Sequence, residues 1–107
     1  MIKTFNDILQ KTKKMISSWN GKLYFIYLPS FNLYSENQED INREIILNTV
    51  KTLQIPIIDI QKEVFDIHPD PISLFPFKMN GHYTGEGYNL ISKIIYKRIN
   101  DDGLLSY

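Results

Sequence analysis

Two short apolar runs constrain this chain most: Lys22-Leu23-Tyr24-Phe25-Ile26-Tyr27-Leu28 and Ile55-Pro56-Ile57-Ile58-Asp59-Ile60. Each is apolar at odd and even positions alike, so each asks to be buried on both faces, as strands of a parallel sheet are. Parallel neighbours need a crossover, and between the runs Ile41, Ile45, Ile46, Val50 and Leu53 recur at helical steps. Pro29 stops the first run. Pro56 stands at the start of the second, where a missing N–H is tolerated.

Helical patterns flank this unit. Phe5, Ile8, Leu9, Thr12, Ile16 and Trp19 predict an amphipathic helix over about residues 4 to 18, ended by Asn20-Gly21. Ser35 and Gln38 stand at capping-box spacing and predict the start of the crossover helix. Residues 61–67 suit a short third helix, with Asp59 as its N-cap. Residues 68–84 hold Pro69, Pro71 and Pro76 among aromatics, which predicts a long ordered loop. Thr84 then caps a last helix whose apolar face is Tyr88, Ile91, Ile94, Ile95 and Ile99, and residues 100–107 form a tail. The alternation predicts a single α/β domain over residues 1–107, a layered fold with a short parallel sheet. Two strands leave both sheet edges unpaired, so either further strands precede Met1 in a longer parent protein or another copy covers the edges. The second case predicts a homo-oligomer.

Twelve lysines and arginines balance twelve acidic residues, which gives no pointer to a nucleic-acid or anionic-membrane partner. No apolar run approaches the roughly 20 residues of a membrane-spanning helix. The opening Met1-Ile2-Lys3-Thr4-Phe5-Asn6-Asp7 lacks a signal peptide's apolar stretch and cleavage site, so the chain is expected to be soluble. Cysteine is absent, which removes disulfides and thiolate chemistry and leaves the compartment open.

In open parallel sheets the site lies at the carboxyl ends of the strands, where the loop running into His82 would fall. His82 stands two residues before Thr84, and Gly81, Gly85 and Gly87 around it permit a tight passage from loop to helix. Its residue type suits a general base; equally, Asn80-Gly81-His82 reads as a turn whose imidazole caps the helix. Ser30, Ser35 and Ser73 read as turn and cap hydroxyls, because none sits in a glycine-flanked strand-to-helix elbow. His68, Asp70 and His82 match no metal motif, and no cofactor is expected. Phe75, Phe77 and Tyr83 are candidates for lining an acyl or sugar pocket, or for anchoring the loop to the core.

Tyr27-Leu28-Pro29-Ser30, a helix, Ile55-Pro56-Ile57-Ile58-Asp59, a loop, and then Gly81-His82-Tyr83-Thr84-Gly85-Glu86-Gly87-Tyr88 leading into a helix resemble the last two strand-helix units of SGNH/GDSL-type hydrolases. The similarity runs from about Ile2 to Arg98. It implies part of a flavodoxin-like α/β/α sandwich, in which His82 corresponds to the family's catalytic histidine. The parent would then be a serine esterase or O-acetyl hydrolase acting on an acyl ester or acetylated saccharide. Two departures stand out. Met79 occupies the position where the family usually has an aspartate, leaving Asp70 or a backbone carbonyl to orient the imidazole, and no Gly-Asp-Ser block is present. The chain alone is therefore expected to be inactive, and to need a missing N-terminal half. The competing reading is a non-catalytic α/β module for self-association or binding.

Overall fold

A computed structural model describes residues 2–105. Its elements are α1 (Ile2–Ser17), β1 (Phe25–Tyr27), α2 (Phe31–Ser35), α3 (Arg43–Thr52), β2 (Ile57–Asp59) and α4 (Gly85–Asp101). A π-helical turn at Gln61–Phe65 and 3₁₀ turns at Pro71–Leu74 and Pro76–Lys78 lie between β2 and α4. The class is mixed α/β, with β1 and β2 paired as a two-stranded parallel sheet. The strands are three residues each, shorter than the apolar runs that contain them.

The chain divides into two compact units, residues 1–26 with 40–58 and residues 27–39 with 59–107. It passes from the first to the second at the last residue of each strand, Tyr27 and Asp59. In the first unit, Phe25 N donates to Pro56 O at 2.9 Å, and Phe5 meets Phe25 edge-on at 5.9 Å. The Lys13 ammonium donates to the carbonyls of Leu53 (2.6 Å) and Gln54 (3.3 Å), so a charge on α1 satisfies acceptors left open where α3 ends. α1 stops as its sequence asks. Asn20 takes a left-handed φ of 62°, and Gly21 N returns to Ile16 O at 3.0 Å. A Cβ on Gly21 would stand 2.8 Å from Ile16 Cγ2, so that return requires glycine.

The crossover begins later than the capping-box spacing predicts. Ser35 is the last residue of α2, and α3 starts at Arg43 after Asn42. Phe31, Leu33 and Tyr34 explain the difference: they are apolar enough to fold a short helix of their own, and Phe31 and Tyr34 pack on Phe75 and Phe65 of the second unit. That unit is built around fully buried Phe65, Leu74 and Phe75. Ile60, not Asp59, stands at the N-cap position of the π-helical turn, but Asp59 Oδ1, at the end of β2, accepts from Lys62 N at 3.3 Å. Of the tail, Asn100 and Asp101 close α4, residues 102–105 form a turn, and Ser106 and Tyr107 lie outside the described residues.

The candidate histidine site

The loop into α4 is held by Tyr83. Its ring lies 5.0 Å from Phe65, 5.3 Å from Phe75 and 5.6 Å from Tyr88, and its hydroxyl donates to Pro29 O at 2.6 Å. Burial, with a smaller contribution from Tyr88, pushes the Tyr83 phenol up to about 12, so it remains a donor. This bond joins the residue beside His82 to the segment that leaves β1. Thr84 N donates to Leu74 O at 2.8 Å, and Thr84 Oγ1 accepts from Gly87 N at 3.0 Å, the N-cap bond that its position predicts. A Cβ on Gly87 would lie 3.1 Å from Tyr83 Cβ and 3.2 Å from Leu74 O. The second glycine of Gly85-Glu86-Gly87 is therefore a spacing requirement of the α4 start.

His82 itself is solvent-exposed. Its Nδ1 lies 3.0 Å from Tyr83 O. A carbonyl only accepts, so this bond requires the proton on Nδ1, and in the neutral ring it leaves the lone pair on Nε2. That is the tautomer a general base needs. The orienting partner is a backbone carbonyl. Asp70 lies elsewhere in the loop: its carboxylate is 3.8 Å from Lys78 Nζ, and its carbonyl accepts from Ser73 N and from Ser73 Oγ at 2.6 Å. Ser73 thus uses its hydroxyl in a turn, and Ser30 and Ser35 bound α2.

His68 has the opposite arrangement. Its Nδ1 accepts from Asp70 N at 3.0 Å, and its Nε2 faces Glu86 Oε1 at 3.7 Å, so Nε2 carries the proton and no lone pair is offered. An apolar groove of ≈ 340 Å³, lined by Val64, Ile67, Pro69, Leu90 and Ile94, runs beside it. By residue type His68 is only metal-capable; its position two residues before Asp70 is the sign in the sequence of a local bond. Among the described residues no group of three His, Cys, Asp or Glu side chains is placed to hold a metal.

The three candidate pocket aromatics separate. Phe75 and Tyr83 are buried in the core of the second unit, where they anchor the loop. Phe77 is 94% exposed, in a left-handed conformation (φ 56°), followed by Lys78 at φ 54°. An exposed left-handed phenylalanine costs roughly 1–2 kcal/mol of backbone energy with no burial to offset it. Of the three, only Phe77 is available to a ligand.

No protein-family model, curated protein or solved structure matches this chain.

Proposed function

We propose that the chain is the histidine-bearing C-terminal part of an SGNH-type serine esterase or O-acetyl hydrolase, with residues 1–107 forming part of a larger flavodoxin-like α/β/α domain. One observation carries this reading. His82 stands at the mouth of an α4 start built by Tyr83, Thr84 and Gly87, with Nδ1 bonded to a carbonyl and Nε2 free to accept a proton. In the reaction, Nε2 takes the proton of a serine hydroxyl as its oxygen attacks the ester carbonyl. It then returns that proton to the leaving alcohol as the tetrahedral intermediate collapses. The serine and the oxyanion-hole donors come from the missing N-terminal half, and the substrate is an acyl ester or acetylated saccharide. The backbone carbonyl replaces the family's aspartate as orienting partner, which holds the tautomer but adds no full negative charge.

The test is the coding sequence upstream of Met1 and the protein made from it. An in-frame Gly-Asp-Ser block is expected, and the longer protein should hydrolyse p-nitrophenyl acetate in a His82-dependent way. The 107-residue chain should hydrolyse it no faster than its His82→Ala variant. Absence of the block, or equal activity of the long protein and its His82→Ala form, would sink the proposal.

The second reading, a non-catalytic α/β module for self-association or binding, draws on the exposure of Phe77, Met79 and Leu28. Sedimentation equilibrium at micromolar concentration tests its self-association, for which a dimer is expected and a monomer would count against it.

A further inference from the structure

The charge balance of the whole chain is the sum of two unequal parts. The first unit holds seven basic and three acidic residues, and the second holds five basic and nine acidic. The positive excess centres on α1, where Lys3, Lys11, Lys13 and Lys14 face a single acid, Asp7. Lys13 is turned to the carbonyls of Leu53 and Gln54, whereas Lys3, Lys11 and Lys14 are exposed.

Apolar side chains share this exposure. Although α1 is strongly amphipathic, none of its residues is buried. Phe5, Leu9 and Ile16 are half-buried, while Ile8 and Met15 are each 57% exposed and Trp19, two residues past the end of α1, is 68% exposed. At 100° per residue, positions 8 and 15 fall on one stripe, and Lys11 and Lys14 lie along one flank of it. Trp19, in the turn that ends α1, adds an exposed indole at that end of the helix.

We propose that α1 is a peripheral membrane-binding element that lies in the plane of an anionic lipid surface. Ile8, Met15 and Trp19 enter the boundary between headgroups and acyl chains, and Lys11 and Lys14 meet the lipid phosphates. A helix with exposed aliphatic groups on one stripe, lysines on its flank, few acids and a tryptophan just past its end has the composition of an interfacial helix. The lysine flank favours an anionic surface over a neutral one. The aliphatic stripe favours lipid over RNA, because the one aromatic of α1, Phe5, is half-buried against Phe25 and only Trp19, past the helix end, offers an exposed ring for stacking.

Trp19 is the only tryptophan in the chain, so its emission reports on this surface directly. The full chain is titrated with vesicles of phosphatidylcholine and phosphatidylglycerol in equal parts, and with vesicles of phosphatidylcholine alone. With anionic vesicles the emission should move to shorter wavelength and become shielded from aqueous iodide. Raising salt from 0.1 M to 1 M, which shortens the Debye length from about 10 Å to about 3 Å, should reverse most of the binding. Because each lysine near an anionic surface contributes on the order of 1 kcal/mol, a Lys11→Gln/Lys14→Gln variant should bind about 30-fold more weakly. Met15→Ser, a second change at an exposed position, should weaken binding with the lysines intact, and circular dichroism confirms that both variants are folded. No shift with anionic vesicles overturns the proposal, as does equal binding to neutral ones. So does a shift that follows protein concentration without lipid, which would assign the stripe to a second copy, or an equal response to single-stranded RNA.

Discussion

Replacing Tyr83 by phenylalanine removes one oxygen and leaves the ring. The lost hydroxyl donates to Pro29 O at 2.6 Å, and both residues are buried, so water has little access to the carbonyl left behind. Leaving a buried acceptor unsatisfied costs about 1–3 kcal/mol. Ring packing against Phe65, Phe75 and Tyr88 is kept. Tyr83→Phe should therefore cost about 1–2 kcal/mol, and Tyr83→Ala, which also empties the ring site, about 3–5 kcal/mol. Urea unfolding followed by circular dichroism measures both, with an unchanged dependence on denaturant expected for Tyr83→Phe. The bond also predicts a pH dependence. The folded phenol titrates near 12 against about 10 when unfolded, so its stabilisation is complete below pH 10 and declines as pH rises from 10 to about 12. Tyr83→Phe should flatten that alkaline decline relative to the parent. If Tyr83→Phe matches the parent within about 0.3 kcal/mol and keeps the decline, the Tyr83–Pro29 bond does not hold the loop, and the account of how His82 is positioned fails.

Two further substitutions test the loop from either side. Gly87→Ala places a methyl group 3.1 Å from Tyr83 Cβ and 3.2 Å from Leu74 O, so despite alanine's helix preference it should destabilise by about 1–2 kcal/mol in a thermal melt; a gain would show that the α4 start has room to spare. Phe77→Gly should raise stability by about 0.5–1 kcal/mol, because relief of a left-handed φ outweighs the extra freedom glycine brings to the unfolded chain; a loss would mean that Phe77 makes contacts its exposure denies.

Much of the architecture was legible along the chain because it depends on neighbours within a few residues. The stop at Asn20-Gly21 needs only a left-handed Asn and a Gly without a Cβ, and the Thr84 cap needs a hydroxyl three residues before Gly87 N. The apolar runs around Phe25 and Ile58 predicted a parallel pair, and a parallel pair is present, although only three residues of each run enter the sheet. Local spacing misled at Ser35-Gln38, where Phe31 and Tyr34 found partners in Phe75 and Phe65, more than thirty residues along the chain.

Tertiary structure decided what lies within reach of His82. Phe75, Phe77 and Tyr83 are equivalent as residue types in an aromatic, proline-rich loop. Two of them are core because Phe65 and Pro29 lie against them, and the third is left in solvent by a left-handed turn. The carbonyl that sets the His82 tautomer belongs to the very next residue, yet its peptide plane is fixed by Thr84 N donating to Leu74 O, and Tyr83 itself is anchored on Pro29, 54 residues away in the chain. Periodicity and capping are properties of a few consecutive residues, whereas the burial of a side chain and the aim of a carbonyl depend on distant segments that fold against them.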